Sequence, residues 1–163
     1  MAKTSQLQVR VTKSQKAAIR RAARAAGMDV SSWVLGALLP APGERFSDLI
    51  ERLAAGRTEA SYVLAELGDW LVTLTRSQFP AAVGRRPDVA LGAYWANYVA
   101  AMVEVTAHRL DVPAPAWTRA IAPLDAPVFG TELASLRLHL LVSSPPPFRR
   151  RNIFVDSTVG DRV

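Results

Sequence analysis

The sequence predicts a mainly α-helical protein in two parts, a small strand–helix–helix module over residues 1–40 and a larger all-α domain over residues 44–163. Three observations carry this. Residues Gln6 to Val11 alternate polar with apolar, the period of a half-buried strand, and no stretch beyond residue 40 alternates convincingly. Helix-forming stretches punctuated by Gly and Pro make up most of the remainder. The net charge of +6 sits entirely in the first forty residues, where Lys3, Arg10, Lys13, Lys16, Arg20, Arg21 and Arg24 stand against Asp29 alone. From Ala41 onward, thirteen arginines meet thirteen acids and cancel.

In the strand, Leu7, Val9 and Val11 point one way and Gln6, Gln8 and Arg10 the other. Thr12-Lys13-Ser14-Gln15 then reads as a capping box, in which the Thr12 hydroxyl accepts an orphan amide of the first turn and Gln15 reaches back. The helix it opens spans about residues 13–26, with an apolar stripe through Ile19, Ala22, Ala23 and Ala26, and ends at Gly27. Ser31 or Ser32 is expected to cap a second helix carrying Trp33, Val34, Ala37 and Leu38, with Pro40 just beyond its end. Gly36 inside that helix costs about 1 kcal/mol relative to alanine, which suggests close packing against a second copy.

A unit below about 40 residues rarely buries enough apolar surface to stand alone. The simplest remedy is a twofold dimer in which two copies of the strand pair antiparallel and leave Gln6, Gln8 and Arg10 of both chains on one exposed face. With its Gln6-x-Gln8-x-Arg10 strand, its cap and its Gly27-to-Ser31 turn, the segment resembles the Arc/MetJ-like ribbon-helix-helix family over about residues 4–40. The resemblance implies a two-stranded ribbon in the major groove of double-stranded operator DNA. Arg can fork onto guanine O6/N7 and Gln onto adenine N6/N7. It also implies phosphate contacts at the start of the second helix, which map onto Ser31 and Ser32; the basic face of the first helix separately offers Lys13 and Lys16 as DNA-binding residues.

Pro40-Ala41-Pro42-Gly43 reads as a short link. Beyond it, helices are expected at about 45–55, ended by Gly56; at 59–78, capped by Thr58; at 87–110; and at 131–143, with short turns around 115–121. Trp70, Trp95 and Trp117 are expected to anchor the core, with Phe79 and Phe129 behind them. The tail differs in kind. Ser144-Pro145-Pro146-Pro147-Phe148 should be extended and partly polyproline-like, followed by Arg149-Arg150-Arg151-Asn152 and the strand-like Ile153-Phe154-Val155-Asp156. Phe148, Arg149, Arg150, Arg151, Ile153 and Phe154 are the candidate partner-binding residues; a tail folded back on its own helices is the alternative.

Several functions are disfavoured. The chain has no cysteine, which excludes disulfides, thiolate nucleophiles and Cys-based zinc sites. His108 and His139 are the only histidines, and Glu104 with His108 reads as an ordinary i,i+4 surface pair rather than half of a metal site. There is no Ser-His-Asp signature and no Gly-rich phosphate loop, so no enzymatic activity, catalytic residue, metal or cofactor is expected. No run approaches the roughly 18 apolar residues of a membrane span, and the N-terminus has no signal-like core, so a cytoplasmic protein is expected.

A second resemblance covers the C-terminal region. The run from Asn97 to Glu104, then Pro115-Ala116-Trp117, Pro127-Val128-Phe129, Leu136-Arg137 and the stretch from Ser144 to Val155 resemble the C-terminal half of actinobacterial regulators. Those regulators are similar to antitoxins encoded beside nucleotidyltransferase-like toxins, and the head is also similar to ribbon-helix-helix antitoxins that partner acetyltransferase toxins. Together these imply a dimeric antitoxin that represses its own operon and neutralises a toxin through its C-terminal domain. The alternative is a ligand-responsive repressor with a small-molecule pocket along the aromatic helix, where polar groups such as Asn97 converge.

Overall fold

A computed structural model describes residues 8–27, 29–31, 33–34, 42–56 and 59–156. Contacts divide the chain into two units, residues 1–41 and 42–163. In the first unit, residues 8–12 lead into α1, Lys13–Ala25. The local chemistry of α1 is the one its sequence specifies. The Thr12 amide donates to Gln15 Oε1 at 2.9 Å, and the Gln15 amide donates to the Thr12 hydroxyl at 3.3 Å, closing the capping box. At the other end the chain turns through Gly27 at φ +66°, a left-handed conformation that a Cβ would strain.

After the turn the backbone is helical at Val30, Ser31, Trp33 and Val34, and the Trp33 amide donates to the Asp29 carbonyl at 3.0 Å. Asp29 is thus the half-in residue, and Ser31 lies inside the first turn rather than capping it. Gln6, Leu7, Ser32, Gly36, Ala37, Leu38 and Pro40 lie outside the described residues, as does the Thr58 cap.

The second unit contains α2 (Pro42–Ala55), α3 (Ala60–Thr73), α4 (Phe79–Val83), α5 (Ala93–Arg109), α6 (Ala116–Arg119), β1 (Val128–Phe129), α7 (Ala134–Ser143), α8 (Pro146–Arg149) and β2 (Ile153–Phe154). Helix α2 packs on α3 and α4, while α5 packs on α3, α6 and α8. Arg52 of α2 pairs with Glu66 of α3 at 2.8 Å, and its guanidinium holds the Glu66 carboxyl below the usual carboxylate range. Gly56, at φ +60°, provides the left-handed turn after α2.

The core is centred on Phe46, Phe79 and Phe148, all fully buried, together with Leu49, Ile50, Leu67 and Leu71. The tryptophans expected at its centre pack around it, partly buried. Trp70 stacks on Phe46 at 6.1 Å, and Trp117 donates its indole N–H to the Val83 carbonyl at 2.8 Å, which satisfies the polar edge of that ring.

Three expectations are corrected. The helix foreseen at 59–78 ends at Thr73, because Thr75-Arg76-Ser77-Gln78 folds into its own capped turn, with the Thr75 amide donating to Gln78 Oε1 at 3.0 Å. That is the same T-x-x-Q pattern that opens α1, so the signal was present in the sequence. The proline run is not extended. Pro145 stands at the N-cap of α8 and Pro146 and Pro147 fill its first turn, where a missing N–H costs nothing.

The region is also not all-α, since β1 and β2 pair in parallel, Val128 with Ile153 and Phe129 with Phe154. A two-residue pair carries no alternation to read, and its bonds join segments far apart in sequence. The Val128 amide donates to the Asn152 carbonyl and the Gly130 amide to the Phe154 carbonyl, each at 2.8 Å. Among the described residues, no helix is long and apolar enough to cross a membrane.

Candidate functional site

The first unit presents a basic surface. Gln8, Arg10, Lys13, Lys16, Arg20, Arg21 and Arg24 are all exposed. On α1, Lys13, Lys16, Arg20 and Arg24 recur at intervals of three and four residues, which places them along one face beside the apolar stripe of Ile19, Ala22 and the buried Ala23. Arg24 in the last turn also complements the negative end of the helix dipole. Val9 and Val11 are 66% and 43% exposed. Gln8 and Arg10 therefore flank an apolar side chain that stands open to water, and the described residues 8–12 are not part of any strand. Ser31 lies in the first turn of the following helix, where backbone N–H groups have no partner within the helix.

The second unit holds a buried polar network that joins the tail to α5. Arg151 is 5% exposed. Its guanidinium donates to Asn97 Oδ1 at 3.0 Å, to Glu104 Oε1 at 2.6 Å and to the Thr118 carbonyl at 2.7 Å. Asn97, also buried, donates to the carbonyls of Ala93 and Ala122, both at 3.0 Å. Arg150 approaches the second oxygen of Glu104 at 3.6 Å. Glu104 is thus a largely buried acid serving two arginines, not one half of an exposed pair with His108. Ser144 ties the same region together, its single hydroxyl proton shared between the Leu140 and Val155 carbonyls, which lie 2.6 and 2.7 Å from its oxygen.

This network reassigns the tail. Phe148 and Ile153 are fully buried and Phe154 is 8% exposed, with the Phe148 ring edge-on to Tyr98 at 5.1 Å. Burial against Phe148 and its neighbours pushes the Tyr98 phenol up to about 12, with the nearby Tyr94 adding to the rise. Phe148, Arg151, Ile153 and Phe154 are therefore buried within their own unit, as the folded-back alternative has it. The apolar side chains stabilise the fold more by joining the core than a mobile segment would by waiting for a ligand. Arg149 and Arg150 alone of the six candidate residues remain exposed.

An exposed apolar surface lies instead on α7, which packs beside β2 and buries Leu140. Around it Leu133, Leu136, Leu138, Leu141 and Val142 are 62%, 44%, 73%, 41% and 74% exposed. Leu138, Leu141 and Val142 share one face, at spacings of three and four. A helix that is apolar nearly all round is ordinarily enclosed, and a contiguous apolar patch on a folded domain marks an interaction surface. The sequence carried this signal as Leu136-Arg137-Leu138-His139-Leu140-Leu141-Val142, which has more apolar residues than one buried face requires.

Residues 1–52 match a family model described as NikA-like, mobilization protein NikA. The match covers the first unit and most of α2. No curated protein and no solved structure matches the chain.

Proposed function

We propose that this chain is a dimeric DNA-binding protein that holds a partner protein through its second unit, in the manner of an antitoxin that represses its own operon. Its N-terminal strand would pair with that of a second copy, covering Val9 and Val11 and presenting Gln8 and Arg10, with Gln6, to base edges. Lys13, Lys16 and Ser31, with Ser32, would position the dimer on phosphates. The similarity of residues 1–52 to a mobilization protein family supports a nucleic-acid role for this unit.

The observation that carries the partner-holding half of the proposal is α7, whose Leu138 and Val142 are 73% and 74% exposed. A toxin seated there would remove that apolar surface from water, and a nucleotidyltransferase-like or acetyltransferase toxin is the partner the tail and head resemblances favour. The direct experiment expresses the adjacent gene with and without this chain in a growth assay. Arrest by the neighbour alone, relieved by the intact chain but not by Leu138→Asp/Val142→Asp, is the expected result. A neighbour that is harmless alone overturns the antitoxin reading.

The family match also favours a second reading, a mobilization protein. Footprinting on the chain's own promoter separates the two, because an autorepressor protects that promoter and a protein dedicated to mobilization does not.

A further inference from the structure

The second unit contains a cleft of about 470 Å³ that neither the DNA face nor α7 uses. Helix α5 contributes Glu104 and His108 to it, the end of α6 contributes Arg119, and the turn after α8 contributes Arg150 and Arg151. Val112, Ala114 and Ile121 form apolar wall between the charged groups. The volume lies within the roughly 300–1,000 Å³ typical of small-molecule sites.

The charges in this cleft do not balance. Glu104 is the one carboxylate among the lining residues, and it is already bonded to Arg151 at 2.6 Å. Arg150 stands 3.6 Å from the same carboxylate with its side chain 70% exposed. Among the described residues Arg119 has no carboxylate within ion-pair distance, and it is exposed. The buried Arg151 also has an Nε without a hydrogen-bond partner. Three guanidinium groups therefore share one acid beside apolar wall, which is the reverse of the near-neutral balance over the rest of this unit. Guanidinium forks match the paired oxygens of carboxylate and phosphate.

We propose that this cleft binds a small organic anion, an acidic oxygen group carried on an apolar body. Arg119 and Arg150 hold the acid, and Val112, Ala114 and Ile121 take the apolar part. Glu104 and Arg151 are the floor that sets the position of Arg150. This site is independent of the toxin and DNA assignments. Occupancy would stabilise the unit, because the cleft exists only in the folded chain.

The test titrates the full chain calorimetrically with inorganic phosphate, phenyl phosphate and benzoate at constant ionic strength, followed by the same titrations of Arg119→Gln and Arg150→Gln. Both substitutions fall on exposed side chains, and circular dichroism checks that each variant is folded. Phenyl phosphate or benzoate is expected to bind at least about tenfold tighter than inorganic phosphate, because only they reach the apolar wall. Their relative affinities identify the preferred acid. Each arginine substitution should weaken binding by about tenfold or more. The proposal is overturned if neither aromatic anion binds, if both variants bind as the parent does, or if random duplex DNA displaces phenyl phosphate and loses affinity equally in both variants. That last result would assign the patch to nucleic acid.

Discussion

Replacing Arg151 with methionine tests whether the tail is structure or a docking segment. The substitution deletes three donated bonds, to Asn97 at 3.0 Å, to Glu104 at 2.6 Å and to the Thr118 carbonyl at 2.7 Å. It also leaves the Glu104 carboxylate, whose side chain is 10% exposed, without its closest counterion. Breaking a buried pair by removing one partner costs about 3–5 kcal/mol. Arg150 is already 3.6 Å from Glu104 and can move closer, which places the expected loss near the lower end, about 3 kcal/mol. That is a large share of the roughly 5–15 kcal/mol that holds a typical domain folded. Urea unfolding followed by tryptophan fluorescence reads it directly, since Trp70, Trp95 and Trp117 all pack against the core of this unit.

Glu104→Leu and the double variant complete the cycle. Because the double variant leaves no buried charge unpaired, Arg150 being 70% exposed, its loss should fall short of the sum of the single losses by about 1 kcal/mol or more. A loss under about 1 kcal/mol for Arg151→Met, or strict additivity in the cycle, refutes the account of a tail pinned by this network. A tail that served only as a docking segment would behave in the opposite way, with unchanged unfolding and weakened partner binding.

The remaining expectations concern other parts of the chain. Arg10→Ala should cost about 1–3 kcal/mol on a specific site and relax base preference, whereas Lys16→Ala should weaken all sequences alike and reduce the salt slope by about one; equal losses on specific and random DNA from Arg10→Ala would show that the strand does not read bases. Thr12→Ala removes the acceptor for the Gln15 amide and should lower the stability of the first unit by about 1 kcal/mol, measured by the same urea assay. Leu138→Asp and Val142→Asp fall on side chains 73% and 74% exposed, so both should leave the unfolding free energy within about 0.5 kcal/mol of the parent while abolishing partner binding in a pull-down. Tyr98 titrates at about 12 in the folded chain, above the ordinary value of about 10, so its contribution is complete below pH about 10 and is lost as pH rises toward 12. Tyr98→Phe should remove that part of the alkaline decline in a pH series of unfolding midpoints.

How far the sequence could be read depended on the range of the interaction. The capping box of Thr12 and Gln15, the left-handed turn at Gly27 and the stop at Gly56 involve residues within one or two turns of each other, so their chemistry is written locally. The second cap, at Thr75 and Gln78, obeyed the same rule and was hidden only because it interrupts an apolar, helix-rich stretch. Glu104 shows where local reasoning ends. Its neighbour four residues on, His108, was the obvious partner, yet the side chain turns to Arg151, forty-seven positions away.

By itself, then, the sequence determined α1 and its ends, the mainly helical character of the second unit, and the concentration of positive charge ahead of residue 41. Charge balance and capping need only composition and near neighbours. Tertiary structure alone decided that Phe148, Arg151, Ile153 and Phe154 turn inward, that Val128–Phe129 pairs with Ile153–Phe154, and that Leu138 and Val142 stay in water. The tail and α7 carry similar apolar residues, and nothing in their own patterns says which will be enclosed. Burial depends on which surfaces the rest of the chain brings alongside, and here α5 offers the tail a carboxylate and an amide that α7 does not receive.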